Sequence, residues 1–344
     1  MVRVKKSPSR NISIEDVARM AGVSITTVSR VINKMPTVKE KNRIKVQEVI
    51  KQLKFQPSVF AQRLATGKSN VVMLVIPRYE GIFYSFYALE LIRGVGTLCD
   101  VLKLDLLLHL TDARSHIDLK GTGGIIFADI IGNRQQLEDV INAGIPCVVI
   151  NNIVDDLKVN CVAIDNLGGA EKAVDYLISL GHRRIAHIAG DLFTQAASYR
   201  MEGYISSLKK HKIEIEQEYI VKTDYSRGQA RVAAEKLINM PKPPTAMFVA
   251  SDSMALEVMA VVRESGKDIP RHLSIVGFDD NPSGLYGPVA LTTVRQPLIK
   301  MAEEGVKRLS LLMDPKQNVK LERIALPAEL VIRESCQPLK SSAR

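Results

Sequence analysis

The 344 residues carry 47 Lys/Arg against 37 Asp/Glu, a formal charge of +10, with 46 % hydrophobic and 24 % charged residues. That composition fits a globular chain large enough for a small module and a body with sizeable cores. No apolar run approaches the roughly 20 residues needed to cross a bilayer, and no hydrophobic secretion segment follows Val2-Arg3-Val4-Lys5-Lys6. The charge is unevenly divided: residues 1–70 hold 15 Lys/Arg and 4 Asp/Glu, a balance of +11, whereas the remainder holds 32 and 33. A basic module on a near-neutral body is the electrostatic footprint of phosphate binding. Cys99, Cys147, Cys161 and Cys336 are scattered. They read as reduced thiols of a cytoplasmic protein rather than as a disulfide framework or a metal site.

Residues 1–10 form a basic arm with no apolar pattern. Ser13 is placed to cap a first helix, with Asp16 reaching back to the cap, and Val17, Ala18 and Ala21 give it a small inner face. Gly22 supplies a tight turn and Val23 plugs the angle between two helices. Ser24 caps the second helix, whose Val28, Val31 and Ile32 share one side. Ile25, Thr26, Ser29, Arg30 and Asn33 remain for the other. That short, polar, nearly uncharged face suits a helix with its N-terminal end in a major groove, Arg30 being placed to reach guanine acceptors. Thr37 is expected to cap a third helix with Glu40 completing a capping box, and Val46, Val49, Ile50 and Leu53 close a three-helix core. Its opposite face carries Lys39, Lys41, Arg43, Lys45 and Lys51, suited to phosphates. Ser58–Thr66 reads as a helix of barely two turns, too short to be stable alone.

From Val71 onward, short apolar strands alternate with amphipathic helices. Strands are predicted near 71–76, 105–110, 124–127, 147–150, 161–164, 185–189, 246–249, 274–278 and 330–332. Helices are predicted near 86–98, 135–143, 168–180, 199–210, 226–238, 253–265 and 299–313. This alternation predicts an α/β fold of parallel sheets covered on both faces, with ligands at the carboxyl ends of the strands.

Three stretches carry a specific resemblance: Ile14-Glu15-Asp16-Val17-Ala18, Ala21-Gly22-Val23-Ser24 and Thr27-Val28-Ser29-Arg30-Val31-Ile32-Asn33. They resemble the DNA-binding head of the lactose/galactose repressor (LacI/GalR) family of bacterial transcription regulators. Body markers extend the resemblance over residues 11–335. They include Pro146-Cys147-Val148-Val149, Gly181-His182-Arg183-Arg184-Ile185, Ser251-Asp252, Val276-Gly277-Phe278-Asp279-Asp280 and Leu291-Thr292-Thr293-Val294. The resemblance implies a helix-turn-helix domain over residues 1–57, a hinge helix and linker over 58–70, and a two-lobed body over 71–344 built like a periplasmic sugar-binding protein. It places lobe 1 at about 71–164 and 294–323 and lobe 2 at about 165–293 and 324–337, with crossovers near Ile164, Val294 and Arg323.

The resemblance also implies DNA contacts from Ser24, Ile25, Thr26, Thr27, Ser29, Arg30 and Asn33, and from Ala61, Gln62, Leu64 and Lys68 at the hinge. Leu64 matches the leucine that the family wedges between central base pairs. Arg200, Tyr225, Ser251 and Asp279 match the residues that hold a small effector such as a sugar, Asn151 after the 147–150 strand would extend the set, and their chemistry suits hydroxyl recognition. The implied partners are a near-palindromic double-stranded operator, the effector and a second copy of the chain, whose seam would draw on the helices near 86–98 and 299–313. No cofactor, metal site or membrane contact is expected. A tetramerising tail is not expected either, since only eleven residues without heptads follow Arg333.

Two departures stand out. Gly81-Ile82-Phe83-Tyr84 replaces the family's Asn-Pro-Phe, and Thr111–Gly121 is too short for the helix usual between the second and third strands. Rival readings are weaker. A transporter's solute-binding protein would need an export segment and no basic head. An enzyme would need a catalytic constellation, and neither His spacing, a phosphate loop nor a nucleophile motif is present. Asp279 and Asp280, adjacent on one loop, are expected to diverge.

Overall fold

A computed structural model describes residues 12–33, 35–55, 69–78, 82–112 and 114–339. The basic arm, the hinge helix and Gly81 lie outside the described residues.

In the head, α1 (Ile14–Ala21) opens on Ser13, whose hydroxyl accepts from the Asp16 amide while Asp16 accepts from the Ser13 amide at 3.1 Å. Gly22 ends it in the left-handed region at φ 62°. Ser24 caps α2 (Ile25–Ile32), accepting from the Thr27 amide at 3.2 Å. The third helix, α3 (Glu40–Leu53), differs from the expectation. Its N-cap is Lys39, with no side-chain cap, and Thr37 lies in the preceding turn. Val38 packs against the head core, so the turn continues past Thr37 and the helix begins at Glu40. Val17, Ala18, Ala21, Val28, Val31, Val46 and Val49 form the head's core.

The body holds two six-stranded sheets. The first runs β1 (Val71–Pro77), β2 (Asp105–Thr111), β3 (Gly124–Ala128), β4 (Cys147–Ile150), β5 (Asn160–Ile164) and β11 (Arg323–Leu326), all parallel, in the order β11-β5-β4-β3-β1-β2. The second comprises β6 (Ile185–Ala189), β7 (Ile220–Lys222), β8 (Ala246–Val249), β9 (Ser274–Asp279), β10 (Thr292–Arg295) and β12 (Glu329–Val331), ordered β12-β10-β9-β8-β6-β7. Only β12 runs antiparallel to its neighbour. Near-continuous burial of β1, β3, β4, β5 and β6 is what a sheet covered on both faces requires.

The chain passes between sheets after β5, between Arg295 and Leu298, and between Leu326 and Glu329. The last two crossings fall a few residues later than Val294 and Arg323, because β10 runs through Arg295 in the second sheet and β11 through Leu326 in the first.

Helices cover both faces: α4 (Phe86–Val101), α5 (Arg134–Asn142), α6 (Asn166–Ser179), α7 (Gln195–Lys210), α8 (Arg227–Ile238), α9 (Asp252–Glu264) and α10 (Leu298–Leu312). α10 follows a lobe 2 strand yet packs on lobe 1, where Gly94 of α4 admits it closely. A Cβ built on Gly94 would meet Ala302 Cβ at 2.8 Å and the Ile299 carbonyl oxygen at 3.0 Å. Met301, Ala302, Val306 and Leu309 are buried within the lobe, so most of α10's apolar face is not available to a dimer seam. Among the described residues no helix links β2 and β3. Asp112 accepts from the Arg114 and Ser115 amides at 2.9 Å, and Ile117 is buried in the core beside Leu137 and Val140. A folded loop thus stands where a covering helix would.

Candidate DNA-recognition helix and effector cleft

The head presents α2 as its chemically distinctive surface. Val28 and Val31 are buried, while Ser24, Ile25 (47 % exposed), Thr26 and Arg30 are exposed and Thr27, Ser29 and Asn33 half-buried. The Ser24 and Thr27 hydroxyls are 2.9 Å apart within the cap, and Asn33 donates to Ser29 at 3.4 Å, so part of the polar face is ordered internally. On α3, Arg43 pairs with Glu40 at 3.2 Å and donates to the Met35 carbonyl, which turns it toward its own loop. Ala61, Gln62, Leu64 and Lys68 lie outside the described residues.

In the body, side chains from both lobes meet at the carboxyl ends of the strands. Asp129 and Asn151 directly follow β3 and β4, Asp279 ends β9, and Tyr225 lies three residues past β7. All four are in positive-φ backbone, at 70°, 66°, 127° and 67° respectively. Non-glycine residues adopt such conformations at a cost, and they gather at binding sites where surrounding structure imposes them. Asn151 donates to Asp129 at 2.6 Å and Tyr87, near the start of α4, donates to the same carboxylate at 2.7 Å. On lobe 2, Arg200 is 4 % exposed. Its Nε donates to Asn166 Oδ1 at 2.8 Å and its Nη1 to the Ala250 carbonyl at 2.6 Å. Its guanidinium lies 3.8 Å above the Phe278 ring and 4.0 Å from Asp279. Gln296 donates to Asp279 at 2.5 Å.

Burial pushes the Asp279 carboxyl up to about 6, against the opposing pull of Arg200 and Gln296. Burial likewise raises Asp129, while Tyr87, Asn151 and Arg200 favour its charged form. Asp252, beneath the site, is raised well above the carboxylate range, first by burial and then by the charge of Asp279. Thr293 at 2.5 Å and the Asn281 amide at 2.7 Å donate to it. Asp280 faces away and bridges Arg295 at 2.7 Å and Arg333 at 2.5 Å, so the adjacent carboxylates do diverge. The Tyr225 ring lies on Gly190: a Cβ there would sit 2.1 Å from Tyr225 Cζ, and only glycine admits the ring. Ser251 lies two residues past β8, and its hydroxyl caps α9 by accepting from the Met254 amide at 3.4 Å.

The structure thus brings Asn151, Arg200, Tyr225 and Asp279 together, and engages Ser251 in local structure. Sequence reasoning missed Asp129, Tyr87, Gln296 and Asn166. Asp129 had a usable signal, since it follows an apolar strand just as Asn151 does. One contact spans the lobes directly: Gln195, first residue of α7, accepts from the Ile153 amide at 2.7 Å and donates to the Ile153 carbonyl at 3.0 Å.

Family comparison agrees with both halves. Residues 13–58 match the model of bacterial regulatory proteins of the lacI family, and residues 174–336 match a periplasmic binding protein-like domain. A probable HTH-type transcriptional repressor ExuR of Bacillus subtilis is 33 % identical over 95 % of this chain and 99 % of its own. The chain belongs to the LacI family. Catabolite control protein A of Priestia megaterium is 32 % identical over 94 % of this chain and 99 % of that protein. The structure of a lac repressor dimer bound to operator and an anti-inducer aligns with a TM-score of 0.81 and 26 % identity, covering 95 % of this chain and all of that one. A transcriptional regulator CelR in complex with cellobiose aligns at 0.72 with 28 % identity, over 94 % and 99 % of the two chains. This LacI-family member is a DNA-binding transcriptional repressor with a helix-turn-helix head and a periplasmic-binding-protein-like body. Among the described residues no helix is long and apolar enough to cross a membrane.

Proposed function

We propose that this LacI-family repressor acts in the cytoplasm, without catalysis, as a homodimer on a near-palindromic operator. Each α2 lies in a major groove, and a small polar effector such as a sugar binds between the lobes. The hinge contacts assigned to Ala61, Gln62, Leu64 and Lys68 belong to the same proposal. Effector and operator are linked by a coupling free energy, each altering affinity for the other equally. The effector acts through the angle between lobes, and β1, which begins directly after the linker, carries that change toward the head.

The observation that carries the DNA reading is the exposed face of α2, where Ile25, Thr26 and Arg30 stay accessible while Val28 and Val31 are sealed. The test is fluorescence anisotropy of the full chain on duplexes selected from random sequence, titrated with salt. Counterion release predicts a loss of about a thousandfold or more between 50 and 200 mM salt. Arg30→Ala is expected to lose about 1–3 kcal/mol of sequence discrimination while retaining salt-dependent binding. Equal affinity of the wild-type chain for selected and random duplexes would refute the reading.

A further inference from the structure

The polar groups of the cleft are unequally divided between donors and acceptors, and this bears on what the proposed effector can be. Arg200 is the buried cation that the described residues place among them. Two of its N–H groups are already held by Asn166 and Ala250. Asp279 stands 4.0 Å from it, and Asp129 lies within its electrostatic reach. Arg78, one residue past the carboxyl end of β1, is exposed rather than buried among them, and its charge also acts on Asp112.

A carboxylate can only accept, so each one fixes the orientation of the amide beside it. Asn151 gives its NH2 to Asp129, and Gln296 gives its own to Asp279. Their oxygens, Asn151 Oδ1 and Gln296 Oε1, are left buried without a hydrogen-bond partner among the described residues. Two carboxylates therefore stand against one partly engaged arginine, and the amide beside each carboxylate keeps a buried oxygen that has no donor among the described residues. A ligand carboxylate or phosphate would add like charge beside Asp129 and Asp279, and would leave both amide oxygens without donors.

We infer that the effector is dense in hydroxyl or amine hydrogens and carries no carboxylate or phosphate. This rests on the cleft being the effector site, and the test separates the two ideas. The full-length repressor is titrated calorimetrically with glucose, galactose, ribose, cellobiose, adenosine and glucosamine. Glucuronate, galacturonate, glucose 6-phosphate, ribose 5-phosphate and adenosine 5′-monophosphate serve as acidic counterparts. The expected result is binding by a neutral or amine-bearing member, with its acidic counterpart at least about tenfold weaker and all binding lost in Arg200→Ala. Asp129→Asn is expected to narrow the gap by about tenfold, the equivalent of removing one pKa unit of like-charge repulsion. The wild-type comparison stands by itself if that variant does not fold. An acidic member binding as tightly as its parent, with binding abolished in Arg200→Ala, overturns the charge inference and leaves the site intact. Binding that survives Arg200→Ala, or no binding by any member, overturns the site and the inference together.

Discussion

The lobes are tied directly by Gln195, and cutting that tie has a calculable consequence. Its side-chain amide makes two hydrogen bonds to one residue of the opposite lobe, to the Ile153 amide at 2.7 Å and to its carbonyl at 3.0 Å. Each such bond contributes about 0.5–1.5 kcal/mol net, because water competes for the freed groups in the open form. Gln195→Ala therefore removes about 1–3 kcal/mol from closure, lowering the closed-to-open ratio by roughly 5- to 150-fold. Ile153 is half-buried, so its groups can be rehydrated on opening and the loss should not unfold the lobe. Hydrogen–deuterium exchange of the segment around Ile153 and the radius of gyration from small-angle scattering both report the change without any effector. Gln195→Glu supplies an internal control. Its carboxylate accepts from the Ile153 amide but repels the carbonyl, so closure should be weakened at pH 8 and partly restored near pH 4, where protonation returns a donor. Unchanged exchange and unchanged dimensions in Gln195→Ala would refute the assignment of this contact as a clasp.

Further consequences can be checked on the same protein. Ser13→Ala deletes the cap of α1 and should lower the head's stability by about 0.5–2 kcal/mol, read as earlier loss of operator binding on heating. An unchanged midpoint would rule out the capping box as a stabilising element. Gly94→Ala should destabilise lobe 1 by about 1–3 kcal/mol, because the new methyl meets Ala302 and the Ile299 backbone; calorimetry showing no shift would mean that α10 can withdraw freely. Asp279 has a folded pKa near 6, above its ordinary value, so its contribution favours folding in acid and is lost as pH rises through about 6. Asp279→Asn, which removes the buried charge, should accordingly gain stability relative to wild type between pH 4 and 8. A constant difference across that range would refute the burial argument.

Much of the architecture was legible in residue order alone. The head follows from local signals: Ser13 with Asp16, Gly22 at a left-handed turn, Ser24 before Thr27, and valines at helical spacing. The strand–helix alternation gives the parallel α/β class, since a strand buried on both faces must be apolar along its whole length. Local chemistry had its limits. Thr37 has the composition of a cap, but it lies in a turn, Val38 docks on the head core, and α3 starts at Glu40. β7, β10 and β11 were not anticipated because three or four residues at or near a sheet edge leave too little periodic pattern.

The cleft divides along the same line. Arg200, Tyr225, Asn151 and Asp279 carry types and positions that a reader of residues can recognise, because strand ends are where open α/β sheets bind ligands. Tertiary structure added Asp129 and Tyr87 from the other lobe, Gln296 from the crossover, and the removal of Ser251 to a helix cap. Residue order determined what each segment prefers to become, because capping, turn geometry and burial periodicity act over a few positions. Which distant side chains share a charge or orient one another's amides was decided only when three crossings brought the two sheets together. Those interactions depend on separations of a few ångströms that no local spacing encodes.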